Sequence, residues 1–281
     1  MKTLHIVLAG VLVSSSSFVA AEGTSPWLPI PGQFSSSINY SLQSGDSAYI
    51  GDQELDVELI TGGGASEFER ASTTLSFSYG INDFLALDAT IGYGDVEVGN
   101  ADEDSGLTDT TIGLSWRVTD EYFSPVFPTT TLRLGAIING DYDGARLAAV
   151  GKDANGAEFS ILLGKSFTNW FSVSAELGVQ ERDNDVPTAT YYAISTLFYP
   201  APGWSLGLGY SDKTFDSNLD IAGPGFSPDR FQEVAEERSL VKASVGYGFG
   251  NHGFALLYNN LVDGRNTVND DAITLSYTLA F

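Results

Sequence analysis

The chain has 281 residues, no cysteine, 13 basic against 36 acidic residues, a net charge of −23 and a mean hydropathy of zero. The absence of cysteine excludes disulfides and thiolate metal sites, and the acidic excess argues against nucleic acid or another polyanion as a partner. Aromatics at 12 % and 31 glycines, with that hydropathy, suit a chain that is apolar on one face only.

In chain order, the first segment reads as a secretory signal peptide over residues 1–21. Lys2 supplies the positive start, Leu4 to Val13 the apolar stretch, and Val19-Ala20-Ala21 the small-residue cleavage site before Glu22. No cysteine follows the cleavage site, so a lipoprotein is excluded. Its removal takes away Lys2 alone among the counted charges, leaving 12 basic and 36 acidic residues. No later run reaches the roughly 18 apolar residues that a spanning helix needs.

From Gln33 onward one cycle repeats: strand, long polar segment, strand, short turn. The alternation predicts strands near 33–43, 68–80, 84–95, 107–118, 129–140, 157–167, 170–181, 187–199, 203–212, 238–249, 253–262 and 271–281. Each has about the length of a tilted bilayer-crossing strand. Short connections lie at 81–83, 119–128, 168–169, 200–202 and 250–252; longer acidic ones lie at 44–67, 96–106, 141–156, 182–186, 213–237 and 263–270. Short inner turns with long outer loops are the asymmetry of bacterial outer-membrane barrels. Residues 22–281 are therefore expected to form one all-β domain, a transmembrane antiparallel β-barrel of about 12 strands in the outer membrane, with both termini periplasmic.

Period-2 alternation assigns two faces. The outward set includes Leu75, Phe77, Tyr79, Leu85, Leu87, Ile91, Tyr93, Ile112, Leu114, Trp116, Leu132, Leu134, Ile138, Phe171, Val173 and Leu177. Trp116, Trp170, Trp204, Tyr79, Tyr199 and Phe249 gather beside the short turns, where an interfacial aromatic girdle belongs. The inward set is mostly small: Ser72, Thr74, Ser76 and Ser78, then Ser172 and Ser174, Ser205, Gly207 and Gly209, and Thr274, Ser276 and Thr278. A barrel with no path would fill that interior with large side chains, so a narrow, partly open lumen is expected.

Few ionisable groups lie within strands. Asp88, Arg117, Arg133, Glu176 and Lys242 take the inward phase in the half nearer the short turns, and they are the candidate constriction residues. A cation facing lipid at mid-depth would cost roughly 2–4 kcal/mol, which favours the lumen. Two roles fit: an ion-pair network tying strands together, and a constriction that orders a passing solute, in which case Arg133→Ala alters permeation without unfolding the barrel. Lys165 takes the outward phase and is expected to snorkel to the interface. Segment 213–237 carries Ile221 to Pro228 and then Arg230-Phe231; Phe226, Arg230 and Phe231 are candidate loop contacts to a ligand, if the loop folds inward. Segment 44–67 has the apolar content to extend a hairpin beyond the membrane.

Catalysis fits poorly. The mature chain carries one histidine, His252, between glycines in a short turn, so a Ser-His pair is not in prospect. No cofactor and no metal site are expected. The last strand, Ala272 to Phe281, alternates to a terminal aromatic, which resembles the C-terminal signature that the barrel assembly machinery reads in outer-membrane proteins.

Two further segments carry a resemblance. Pro26-Trp27-Leu28-Pro29-Ile30-Pro31-Gly32 leads into the first strand, with Tyr40 and then Tyr49-Ile50-Gly51-Asp52 beyond; Gly106-Leu107-Thr108-Asp109 opens a strand that ends at Trp116-Arg117. Both resemble the outer-membrane transporter-like family named for the meta-pathway of phenol degradation. There the second segment reads Gly-Leu-Gly-Asp, and Thr108 stands here in place of its second glycine. The resemblance implies a narrow barrel that passes small, often aromatic or hydrophobic compounds. The expected function is thus a monomeric channel for passive diffusion, its partners being outer-membrane lipid, lipopolysaccharide and a small solute. The alternative is a structural or adhesive barrel with a closed lumen and working external loops.

Overall fold

The computed structural model describes residues 25–142, 144 and 148–281; the signal-peptide reading of residues 1–21 lies outside them. Its elements are β1 (Phe34–Ile50), β2 (Gln53–Asp56), the one-turn helix α1 (Val57–Ile60), β3 (Phe68–Asn82), β4 (Leu85–Val98), β5 (Asp102–Leu107), β6 (Thr110–Thr119), β7 (Thr129–Ile138), β8 (Gly156–Thr168), β9 (Phe171–Arg182), β10 (Ala189–Phe198), β11 (Trp204–Phe215), a short 3-10 turn (Pro228–Glu233), β12 (Glu237–Phe249), β13 (His252–Arg265) and β14 (Val268–Ala280). Twelve strands form a closed antiparallel ring, β1-β3-β4-β6-β7-β8-β9-β10-β11-β12-β13-β14 and back to β1. The closing ladder runs from Ser35↔Ala280 to Ser44↔Asp271 and continues past a bulge to Ala48↔Val268. With no free edge, every spanning strand pairs on both sides, as a chain in hydrocarbon requires.

The two remaining strands lie above the ring. β2 folds back on the end of β1 through Ser47↔Asp56 to Ile50↔Gln53, which makes 44–67 the extended hairpin its apolar content predicts. β5 corrects the reading of 96–106 as a loop. Asp102–Leu107 pairs with the upper half of β4, from Val98↔Asp102 to Tyr93↔Leu107. β5 and β6 form one bent stave, because two residues of β4 (Ile91, Gly92) stand opposite three (Thr108, Asp109, Thr110) where its register shifts.

Burial follows the alternation. Leu75, Phe77, Tyr79, Leu87, Ile91, Tyr93, Ile112, Leu114, Leu134, Ile138 and Leu177 are exposed on the outer face, while Thr131, Ser160, Leu162, Ser276 and Thr278 are buried on the inner one. A surface of exposed leucines and aromatics is an aggregation hazard in water and the ordinary face of a barrel in lipid. At the short-turn end the aromatics pack against one another at tilted angles. Phe171 lies 4.9 Å from Phe198, Trp204 5.0 Å from Tyr247, and Phe254 5.1 Å from Tyr277, ring centre to ring centre. Trp116, Trp170, Trp204, Tyr79 and Phe249 take their girdle places, all exposed. Tyr199 does not: it follows β10 in the inward phase and lies partly buried beside Ser172.

Candidate functional site: the barrel interior

The inner wall divides into two kinds of surface. Around β1, β3, β4 and β14, and again across β9 and β10, small hydroxyl side chains satisfy one another from strand to strand. Ser35 pairs with Ser78 (2.7 Å), Thr90 donates to Ser76 (3.2 Å), Thr274 donates to Ser41 (2.9 Å), and Ser174 pairs with Ser195 (2.7 Å). Such pairs give a polar wall without charge and leave the axis to other groups.

The second surface is charged. Arg133 of β7 is 4 % exposed and lies between Asp88 of β4 and Glu158 of β8. Its Nε donates to Asp88 Oδ1 (3.1 Å), its Nη2 to Asp88 Oδ2 (2.6 Å), and its Nη1 to Glu158 Oε1. Glu158 accepts further from Gln180 Nε2 of β9 (3.5 Å). The guanidinium reaches Asp88 across the intervening β6 because Gly113 stands there. A Cβ at Gly113 would sit 2.5 Å from Arg133 Nη2 and 2.6 Å from the Asp88 carboxylate. The arrangement is a bidentate fork with a second carboxylate on its free corner, a geometry in which loss of one partner strands a buried charge.

Asp88 and Arg133 are thus brought together as inward residues, but the set does not converge on one point. Arg117 lies apart at the short-turn end, where it pairs with Asp120 (3.1 Å) and donates to the Asp83 carbonyl, holding two turns together. Glu176 and Lys242 line the wall on β9 and β12; Lys242 shares its register level with Gly209, Ser195 and Ser174, and Ser174 stands two residues before Glu176 on β9. Lys165, outward as expected, reaches the turn below it, 2.5 Å from the Pro125 carbonyl and 3.7 Å from Glu121. Glu158 is a residue the sequence reading missed. It shares the inward phase with Ser160, Leu162 and Gly164 on a correctly placed strand, so alternation alone could have found it.

Both mouths are covered. At the short-turn end residues 26–32 cross the opening. Gly32 N–H donates to the Gly80 carbonyl (2.7 Å) on β3, Thr131 Oγ1 on β7 donates to the Pro26 carbonyl (2.7 Å), and Trp27 Nε1 donates to Glu121 (3.0 Å). The strap passes so close to the wall that a Cβ at Gly164 would meet Pro26 at 2.6 Å and Trp27 at 2.7 Å. This Pro/Trp segment is the one that carried the family resemblance, and its position in the lumen was not legible from it.

At the long-loop end, the inward residues Phe68, Val96 and Val98 pack with Ala148 and Val150 of the β7–β8 loop and with Val57 and Ala65 of the β2–β3 connection. The β11–β12 loop also folds over the rim: Val234 and Ala235 are buried, and Asp220 holds Arg265 (2.8 Å) and Asn266 (2.9 Å). Lys152 and Glu236 join the two loops at 2.6 Å. Burial alone would raise the Glu236 carboxyl, but Lys152, then Arg238 and Lys213, pull it down to about 2. Phe226, Arg230 and Phe231 form a knot of their own. The two rings meet edge to face at 5.1 Å, and Arg230 binds Glu233 (2.5 Å) and the Gly225 carbonyl (2.5 Å).

A family model described as "Putative MetA-pathway of phenol degradation" matches residues 41–277. Comparison with curated proteins gave no match. Among solved structures, the COG4313 outer membrane channel from Pseudomonas putida F1 superposes with a TM-score of 0.69 at 16 % identity, over 90 % of this chain and 97 % of that one. The KdgM porin follows at 0.52 and 10 % identity over 87 % and 99 %. The translocator domain of the autotransporter NalP from Neisseria meningitidis reaches 0.50 at 10 % identity over 90 % of both chains. At these identities the structures establish a shared outer-membrane barrel fold. The family match covers most of the chain, which belongs to the family of the MetA-pathway of phenol degradation.

Proposed function

We propose that the barrel is a passive outer-membrane channel for small solutes, with aromatic or hydrophobic compounds preferred, working as a single copy in lipid and lipopolysaccharide with both termini on the periplasmic side. The observation that carries this reading is the lining. On β1, β3, β4 and β14, and across β9 and β10, the wall carries small hydroxyl side chains that satisfy one another, and a strap and loops are added at the two ends. Family membership supports the preference for aromatic solutes. Asp88, Arg133, Glu176 and Lys242 line the proposed path, with Arg117 at its exit. Phe226, Arg230 and Phe231 flank its outer approach, and solute contact there requires the knot they form to open. The reading contains no catalytic step: His252 hydrogen-bonds Tyr277 Oη (2.9 Å) in the short turn.

One observation favours a second reading. Both mouths are covered, as a structural or adhesive barrel with functional external loops would have them. Planar-bilayer conductance separates the two. The channel reading expects a small conductance that rises several-fold when Ser25–Pro31 are removed, because the strap lies across the lumen. A well-folded barrel that stays silent with and without the strap would establish the structural alternative.

A further inference from the structure

The β6–β7 connection, Asp120 to Pro128, is the longest at the short-turn end, where the others have two to five residues. Tyr122, Phe123, Val126 and Phe127 in it are all exposed, Val126 at 85 % and Tyr122 at 79 %. An exposed apolar group of this size marks contact with another protein or with a membrane. Its place, its fastening and its backbone bonding all favour the membrane.

The β7–β8 ladder stops at Thr129↔Gly164, so Lys165 to Thr168 of β8 have no strand on that side. The connection stands in that place, and Glu121 Oε2 accepts from Ser166 N–H (2.9 Å) where a strand carbonyl would. On their other side the same residues pair with β9, from Lys165↔Val173 to Thr168↔Phe171, and Phe171 packs with Phe198 and Trp170 in the aromatic girdle. The connection therefore adjoins the girdle rather than hanging beyond it. Lys165 fastens it to the lipid side. This residue takes the outward phase between Leu163 and Phe167, both exposed, and its Nζ donates to the Pro125 (2.5 Å) and Phe127 (3.4 Å) carbonyls. Five backbone N–H groups of the connection are also bonded within the protein. Glu121 N–H donates to Thr129 Oγ1 (3.2 Å), Tyr122 to Asp120 Oδ1 (2.9 Å), Phe123 and Ser124 to the Asp120 carbonyl (3.1 Å each), and Phe127 to the Ser124 carbonyl (3.0 Å). Pro125 and Pro128 have no N–H to satisfy. A loop in water can leave such groups to solvent, whereas a segment that enters lipid must bond them internally.

We infer that Tyr122, Phe123, Val126 and Phe127 form an interfacial anchor, inserted among the headgroups and upper acyl chains of the lipid leaflet at the short-turn end. Aromatic rings suit that depth, where one side of the group meets hydrocarbon and the other meets water. The anchor holds the barrel in its leaflet and is independent of what the barrel conducts, so it is tested apart from the channel reading.

The chain has no cysteine, so a single label reports on a single place. The test uses the refolded full-length barrel in phosphatidylcholine vesicles, with a bimane fluorophore on Val126→Cys. The label is expected to lose about half its emission when the acyl chains are brominated near the headgroup, and to resist iodide supplied on both sides of the membrane. Two further sites calibrate the quenchers. A label on Leu134→Cys, 61 % exposed on the outer face, responds to bromine, and one on Asp52→Cys, 89 % exposed on the long-loop hairpin, responds to iodide. Should Val126→Cys fail to refold, Tyr122→Cys takes its place with the same expectation. Quenching by iodide without any effect of bromine overturns the inference and leaves the connection as a docking surface for another protein. A label that responds to neither quencher overturns it too, because the connection is then covered by a second copy of this chain.

Discussion

Arg133 shows how much one inward residue can carry. Its guanidinium is buried between a carboxylate of β4 and one of β8, and Gly113 on the intervening β6 opens the way to Asp88. Removing only the cation leaves Asp88 and Glu158 facing each other. Arg133→Ala is therefore expected to cost about 3–5 kcal/mol of unfolding free energy. Arg133→Met combined with Asp88→Asn and Glu158→Gln is expected to stay within about 1–2 kcal/mol of the parent, because no charge is stranded. Urea titrations followed by tryptophan fluorescence would decide it, and equal losses in the two variants would show that packing, rather than ion pairing, fixes this part of the wall. The inward phase of Asp88 and Arg133 was legible because in a two-faced strand a charge has one affordable side. Their contact was not legible, since it depends on a glycine in a third strand and on the stagger of the ring.

Among the elements, the lipid-spanning staves were readable, and beyond lipid so was the 44–67 hairpin, whereas β5 and the strap were not. The strands from β7 to β14 start and end within a few residues of the alternation limits, because hydrocarbon on one side and polar lumen on the other enforce the period of two. β5 escaped notice because Asp102-Glu103-Asp104 stands in water, where no apolar outer face is required. The strap at 26–32 has no periodicity at all; long-range bonds to Gly80 and Thr131 place it.

The β11–β12 loop offers a pH handle. Glu236 is held near pKa 2, well below its ordinary value of 4.5, by Lys152, Arg238 and Lys213, with Arg70 and Asp270 also facing it. Since the folded value lies below the unfolded one, its stabilisation of the loop is complete above about pH 4.5 and is lost as the pH falls towards 2. Hydrogen-exchange protection of residues 217–235 is expected to drop across that window in the parent and to show no such step in Glu236→Gln. Identical profiles in both would remove Glu236 from the attachment of the loop.

At the closing seam, Phe281 keeps its backbone bond to Phe34 (2.8 Å), while its ring is 65 % exposed and lies 5.7 Å from the Phe34 ring. Phe281→Ala is therefore expected to refold in detergent with a loss of about 0.5 kcal/mol or less, yet to reach the outer membrane at a much lower level in cells. A variant that assembles normally in cells would remove the terminal aromatic as a recognition signal.

For the whole molecule, most of the acidic excess lies away from the spanning interior. There Arg133 is held between Asp88 and Glu158, one cation against two carboxylates. The surplus carboxylates lie in the long connections and at the rim, where water and salt screen them. A barrel so built presents an acidic exterior, an interior with hydroxyl-lined stretches, and a strap and loops across its two ends. On the proposed reading this interior is the route of small aromatic solutes. The most direct test is permeation into proteoliposomes carrying the refolded barrel, comparing phenol-like and benzoate-like solutes with sugars and amino acids of similar size. The account predicts flux of the aromatic compounds well above that of the sugars and amino acids; equal flux of all solutes, or none from a well-folded barrel, would contradict it.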